Sequence, residues 1–180
     1  MKLKTSRMEA LTDGIFAIVM TVMIVGLGEI LTFRGALKNE DFFKLFSSLT
    51  DDFLSYTISF LILGGLWFDH HWQFHYIKNV DPVLVFINII WFMFICLIPF
   101  STALLGDYPN FFAPTIVFEI NILIVFLILH IHWVYATHKN HIVDASLDRK
   151  VVSRHKNIGL ILIIVVLFAI ALTSFRHFFK

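Results

Sequence analysis

Residues 7–31, RMEALTDGIFAIVMTVMIVGLGEIL, read as one apolar helix of membrane length that opens on Arg7 and Asp13 and closes on Glu29. A hydrocarbon core of about 30 Å takes about 20 helical residues, and this run supplies them. At 3.6 residues per turn, Leu11, Gly14, Ile18, Val22, Val25 and Glu29 fall within about 40° of one line, with Thr21 beside it. Copies of that stripe around a shared axis would form an apolar constriction with a ring of carboxylates at one mouth, the geometry of an ion pore. The same stripe also suits a packing seam between helices, and spacing alone leaves both readings open.

Composition extends this reading to the whole chain. With 58% hydrophobic residues, 15% charged residues, 21 phenylalanines and a mean hydropathy of +0.83, the chain is far more apolar than a soluble domain. It reads as an all-α integral membrane protein, with residues 1–180 forming one transmembrane domain. The lone Cys96 excludes an internal disulfide. A net charge of +1 with no concentrated basic tract argues against nucleic acid as a partner. Lys2, Lys4 and Arg7 precede the first apolar run as in a secretory signal, but Glu9 and Asp13 interrupt its start and no A-x-A-like site follows. The segment is expected to be a retained helix.

Working outward, the apolar runs place five spanning helices at about 7–31, 50–77, 82–105, 112–137 and 152–176. Between the first two, Phe42, Phe43, Phe46 and Leu49 share a face and suggest a short interfacial helix at about 40–49. Asp81-Pro82 is a cap followed by a first-turn proline, so the second and third helices form a tight antiparallel hairpin. Pro99 lies inside the third helix, where it should kink the chain and free the Ile95 carbonyl for Ser101 or Thr102. Gly64-Gly65 suggests close helix packing in the second. With the N-terminus in the cytoplasm, the inner side collects Lys2, Lys4, Arg7, Lys78, Lys139, Arg149, Lys150, Arg154 and Lys156. The outer side collects fewer basic residues, Arg34, Lys38, Lys44, Arg176 and Lys180, so a multi-pass protein of the cell membrane with a cytoplasmic N-terminus is expected.

Ionisable residues inside a membrane are costly enough to be functional candidates, here Glu9, Asp13, Asp69, His70, His71 and Glu119. Asp13 lies about 140° from Ile18, so it should face the chain's own bundle, where His70 and His71 are natural partners at the same depth. His71-x-x-x-His75 has metal-ligand spacing, and a His-ligated membrane metalloenzyme is one rival reading. Against it, the paired histidine boxes of membrane di-iron enzymes are missing, and His130 and His132 point to different faces. A proton-coupled carrier relaying through Asp13 and the histidines is a second rival. No nucleophilic triad, phosphate-cradling glycine loop or TVGYG filter is present, so any ion selectivity must come from side chains.

Three stretches carry a family resemblance: Arg7-x-x-x-Leu11-Thr12-Asp13 with Gly14-Ile15-Phe16-Ala17-Ile18 and Thr21; Gly65-Leu66-Trp67-Phe68-Asp69-His70-His71 with Phe74; and Asn88 with Ile98-Pro99-Phe100-Ser101-Thr102 through Gly106. The first resembles the R-x-x-x-F-S-D signature of the transmembrane protein 175 family, lysosomal potassium channels with single-repeat prokaryotic relatives. Leu11 and Thr12 stand where phenylalanine and serine are usual. Valines stand where leucines are common, which suggests a wider outer constriction. Six helices per repeat are usual, against the five counted here; the segment 40–49 would make a sixth if it inserted more deeply.

The resemblance implies a homotetramer in which the first helices line a central pore. Carried over residue by residue, it implies a first constriction layer at Ile18, further layers at Val22 and Val25, and a polar pore position at Thr21. Arg7, Thr12, Asp13, His70 or His71, and Asn88 would brace the pore helix as a polar network. The expected function is a potassium-permeable cation channel, modestly selective over sodium, with no catalytic residues, metal or cofactor and with monovalent cations and the bilayer as its partners. Glu29 would gather cations at the outer mouth.

Overall fold

The structure, a computed structural model, describes residues 4–33, 50–138, 142–144 and 146–179, and side chains are described outside 26–33. The interfacial helix expected at 40–49 lies outside the described residues. The described residues form six helices: α1 (Thr5–Phe33), α2 (Thr50–Tyr76), α3 (Pro82–Cys96), α4 (Ile98–Asp107), α5 (Phe112–His138) and α6 (Arg149–Phe178). The pair α3 and α4 occupies the expected third span, broken near Pro99, so among the described residues five helical elements lie where five spans are expected.

Asp81 caps α3, its side chain accepting from the Leu84 backbone N–H at 2.8 Å, with Pro82 in the first turn. The break falls at Leu97, whose N–H turns back to the carbonyls of Phe94 and Ile95. Neither of the hydroxyls expected to reach the Ile95 carbonyl does so. Ser101 instead donates to Ile98 O at 3.1 Å, and Thr102 donates to Ser59 Oγ on α2 at 2.8 Å. Asp148 accepts from the Lys150 N–H at 2.8 Å, which starts α6 earlier than its apolar run alone indicates.

Among the described residues, four stretches are long and apolar enough to cross a membrane: Thr5–Val25, Pro82–Asp107, Phe112–His138 and Arg149–Phe178. Helix α2 falls short by composition, yet at 27 residues it spans about 40 Å and packs along α1 and α4. Its polar residues explain the difference, because Asp52, Ser59, His70 and Gln73 are buried on one face and turned away from lipid. The core is a single cluster contributed by α1 to α5 and the short loops, with Trp91, Leu63, Leu84, Ile95 and Ile98 among its most buried members. Helix α6 leans on α5 and contributes one buried residue, Ile163.

On the side of the α1 N-terminus, the α2–α3 turn is stitched to the α5–α6 connection. Ile77 and Val143 form an antiparallel bridge, Lys78 N donates to Ile142 O at 2.8 Å and Asp144 N donates to Tyr76 O at 2.9 Å. Two hydrogen bonds from Ser146, through its hydroxyl and its N–H, hold the Asp144 carboxyl below its ordinary range, with Lys78 adding a smaller pull. A lowered carboxyl keeps this contact fully formed at neutral pH and gives it up only as pH falls through that depressed value.

Close approach is needed at glycines other than the pair singled out from sequence. A Cβ on Gly64 would meet Met20 at an ordinary 3.8 Å, and one on Gly65 would meet nothing within 4 Å. A Cβ on Gly106 would lie 2.8 Å from Asp52 Oδ1 and 3.2 Å from Asp52 Cα, where the end of α4 crosses the start of α2. Gly106→Ala should therefore force these backbones apart and cost about 1–3 kcal/mol, read as a lower thermal midpoint in detergent, while Gly65→Ala leaves that midpoint unchanged or raised.

Candidate functional site: the outward stripe of the first helix

Helix α1 has two apolar faces. Met8, Thr12, Phe16, Val19 and Met23 are buried against the chain's own bundle. Leu11, Ile18, Val22 and Val25 are turned out of it, with Ile18 66% exposed against 2% for Phe16. Gly14 and Thr21 are exposed on the same side, and a Cβ on Gly14 would meet nothing within 4 Å. Thr21 donates its hydroxyl proton to Ala17 O at 2.7 Å, so its oxygen offers only lone pairs outward. Glu29 lies in α1, but its side chain is outside the described residues.

The buried face is held by aromatic contacts. Phe16 packs on Trp91 of α3 with ring centroids 5.5 Å apart, and Trp91 stacks on His70 of α2 at 4.9 Å and 7°. Trp91 also donates its indole N–H to Val125 O of α5 at 3.2 Å. One side chain thus ties four helices together, and it is completely buried. Its sequence signal was the single tryptophan of an apolar span, which composition alone does not distinguish from an interfacial one.

The polar residues expected to brace α1 are held as separate contacts. Asp13 accepts from Trp67 Nε1 at 2.8 Å; its expected histidine partners are elsewhere. His71 stacks on the same Trp67 at 5.6 Å. His70 is buried against Asn88: the Asn88 amide donates to Leu84 O at 2.8 Å, so its oxygen accepts from His70 Nε2–H, also at 2.8 Å. Thr12 donates to Met8 O at 2.9 Å within its own helix. The Arg7 side chain is exposed and makes no hydrogen bond or ion pair among the described residues. Trp67, which carries the carboxylate contact, lies within the second stretch of the family resemblance, although its indole was not assigned a role there.

A second polar layer was not anticipated. Gln73 donates to Asp69 Oδ2 at 3.2 Å and accepts from His132 Nδ1 at 2.6 Å, while Asp69 Oδ1 pairs with His155 at 3.0 Å. This layer links α2, α5 and α6. His75 meets Tyr76 edge-on, and among the described residues no three His, Cys, Asp or Glu side chains come together as a metal ligand set. Glu119 accepts from Thr173 on α6 at 2.8 Å.

A bundle of long apolar helices with inward polar layers and an outward apolar stripe on its first helix defines a multi-pass membrane protein. The family model for the endosomal/lysosomal potassium channel TMEM175 matches residues 7–99, and the chain belongs to that family. It is 26% identical over 149 residues to a potassium channel of Streptomyces collinus, covering 81% of this chain and 70% of that one. To the endosomal/lysosomal proton channel TMEM175 of Gallus gallus it is 29% identical over 119 residues, 60% of this chain and 22% of that one. Its fold is similar to the crystal structure of a lysosomal potassium-selective channel TMEM175 homolog from Chamaesiphon minutus, with a TM-score of 0.78, 24% identity, and coverage of 95% of this chain and 87% of that one.

Removing the acceptor of a buried donor leaves it unpaired. Asn88→Ala should cost about 1–3 kcal/mol through the stranded His70 N–H, read as a fall in the thermal midpoint of the detergent-solubilised protein. Trp67→Phe, which strips Asp13 of a donor at an exposed position, should cost less.

Proposed function

We propose that copies of this chain, four in number, meet along the outward stripe of α1 and conduct potassium through the conduit it lines. The supporting observation is the double-sidedness of α1: Phe16 and its neighbours satisfy the chain's own core, leaving Leu11, Ile18, Val22 and Val25 exposed on the opposite face, where they are free to meet their symmetry mates. The family to which the chain belongs, and relatives that are potassium channels, favour a pore over a lipid-facing seam.

In this reading Ile18, Val22 and Val25 form successive apolar rings. Passing such a ring strips part of an ion's water, and sodium holds its water more strongly than potassium, so the penalty falls harder on sodium. A narrow apolar bore also empties readily of water, which gates it. Thr21 contributes hydroxyl lone pairs in the dry stretch, and Glu29 concentrates cations at the mouth. The Trp67–Asp13 contact ties the pore helix to α2, and the His70–Asn88 bond ties α2 to α3 behind it. No cofactor enters this mechanism, and the permeant ion is potassium. The excess of Lys and Arg near the α1 N-terminus supports a cytoplasmic N-terminus in the cell membrane.

Purified protein in liposomes should carry a potassium flux in the absence of any proton gradient; a flux that appears only with a proton gradient would instead mark a proton-coupled carrier. Ile18→Asn should raise conductance several-fold and bring potassium over sodium selectivity toward unity. An unchanged current from an intact assembly would remove Ile18 from the conducting path.

A further inference from the structure

A groove of about 430 Å³ opens outward between the last turns of α2 and the first turns of α6, away from the stripe of α1. It is far larger than the ~30 Å³ share of one water. Its deep end is apolar, formed by Phe68 and Ile158, both exposed. Its floor is Trp72 stacked on His155 at 4.2 Å, and Tyr76 meets Trp72 edge-on toward the shallow end. Arg154 stands on its rim.

Charge in and around the groove is unbalanced. The one carboxylate lining it, Asp69, is already engaged by His155 and Gln73. The exposed Arg154 makes no ion pair among the described residues. Lys150, one helical turn away, lies on the same side of α6, and Arg149 and Lys156 add to the basic character of this end. Helix α6 is long and apolar enough to cross a membrane and has one buried residue, so in a spanning α6 the basic end of the groove would lie at the level of lipid phosphates. An apolar slot beneath an aromatic collar, with an unpaired guanidinium at headgroup depth, matches the order of parts in a phospholipid.

We propose that this groove is a binding site for an anionic phospholipid, with its phosphate on Arg154 and Lys150 and the start of an acyl chain along Trp72, Phe68 and Ile158. Arginine suits the role because its planar fork engages two phosphate oxygens at once. A bound lipid would also fill the space between α2 and α6, which otherwise meet through His155 and its neighbours at the inner polar layer.

The test is native mass spectrometry of the full chain released from nanodiscs of phosphatidylcholine and phosphatidylglycerol. The wild type should retain one phosphatidylglycerol per chain in preference to phosphatidylcholine. Retention should fall about five-fold in Arg154→Gln, the factor equivalent to about 1 kcal/mol per arginine, and stay unchanged in Arg149→Gln, which lies on a different side of α6. Arg154→Lys should recover part of the loss, and soluble glycerophosphate at the same phosphate concentration should fail to displace the lipid. Equal retention of the two lipids, an equal loss in Arg149→Gln, displacement by glycerophosphate alone, or a groove that retains no lipid because a second copy covers it would each overturn the proposal.

Discussion

The stacking of Phe16 on Trp91 is the contact from which the rest of the arrangement follows. In a bilayer the outside of the protein is as apolar as its inside, so hydrophobicity does not determine which face of α1 turns inward. Shape and specific contacts must do it. Phe16 inserts beside an indole that is itself clamped by His70 on one face and tethered through its N–H to Val125. Turning α1 by one residue would withdraw Phe16 and carry Ile18 toward the bundle, so this packing sets the direction of the whole stripe.

Around that contact the bundle is polar where a soluble protein would be greasy. His70 with Asn88, Gln73 with His132, Thr102 with Ser59 and Asn121 with Ser101 all bridge different helices from buried positions. Each of these groups would be stranded if exposed to hydrocarbon, which makes the pairs selective for one register even where each adds only about 1 kcal/mol. The same inward polarity explains why α2 looks too polar to span on composition, yet packs along α1 and α4 like a spanning helix. It leaves α6 as the exception. Only Ile163 of α6 is buried, so what covers this helix lies outside the single chain.

The division between what could and could not be read from residues is physical. Apolar run lengths, the Asp81-Pro82 cap and the Pro99 break are local, because caps and prolines act within one turn. The outward line on α1 was also local, since it depends only on helical period. Asp13 was assigned to histidines because depth was judged along the helices; distance across them gave it to Trp67 instead, a residue whose apolar ring conceals a donor. Gly64-Gly65 looked like the close crossing, and Gly106 provides one, because close approach depends on where two backbones cross and not on how many glycines are adjacent.

The sequence by itself therefore determined the solvent this chain lives in, its all-helical class, and the family through motifs whose order is written along the chain. Tertiary structure alone decided that Phe16 and Trp91 hold α1, that His70 and not His71 meets Asn88, and that Asp69, Gln73, His132 and His155 form one inner layer. The reason is that periodicity specifies an angle about one helix axis, whereas partners across a membrane bundle are chosen by the relative rotation and depth of several helices at once.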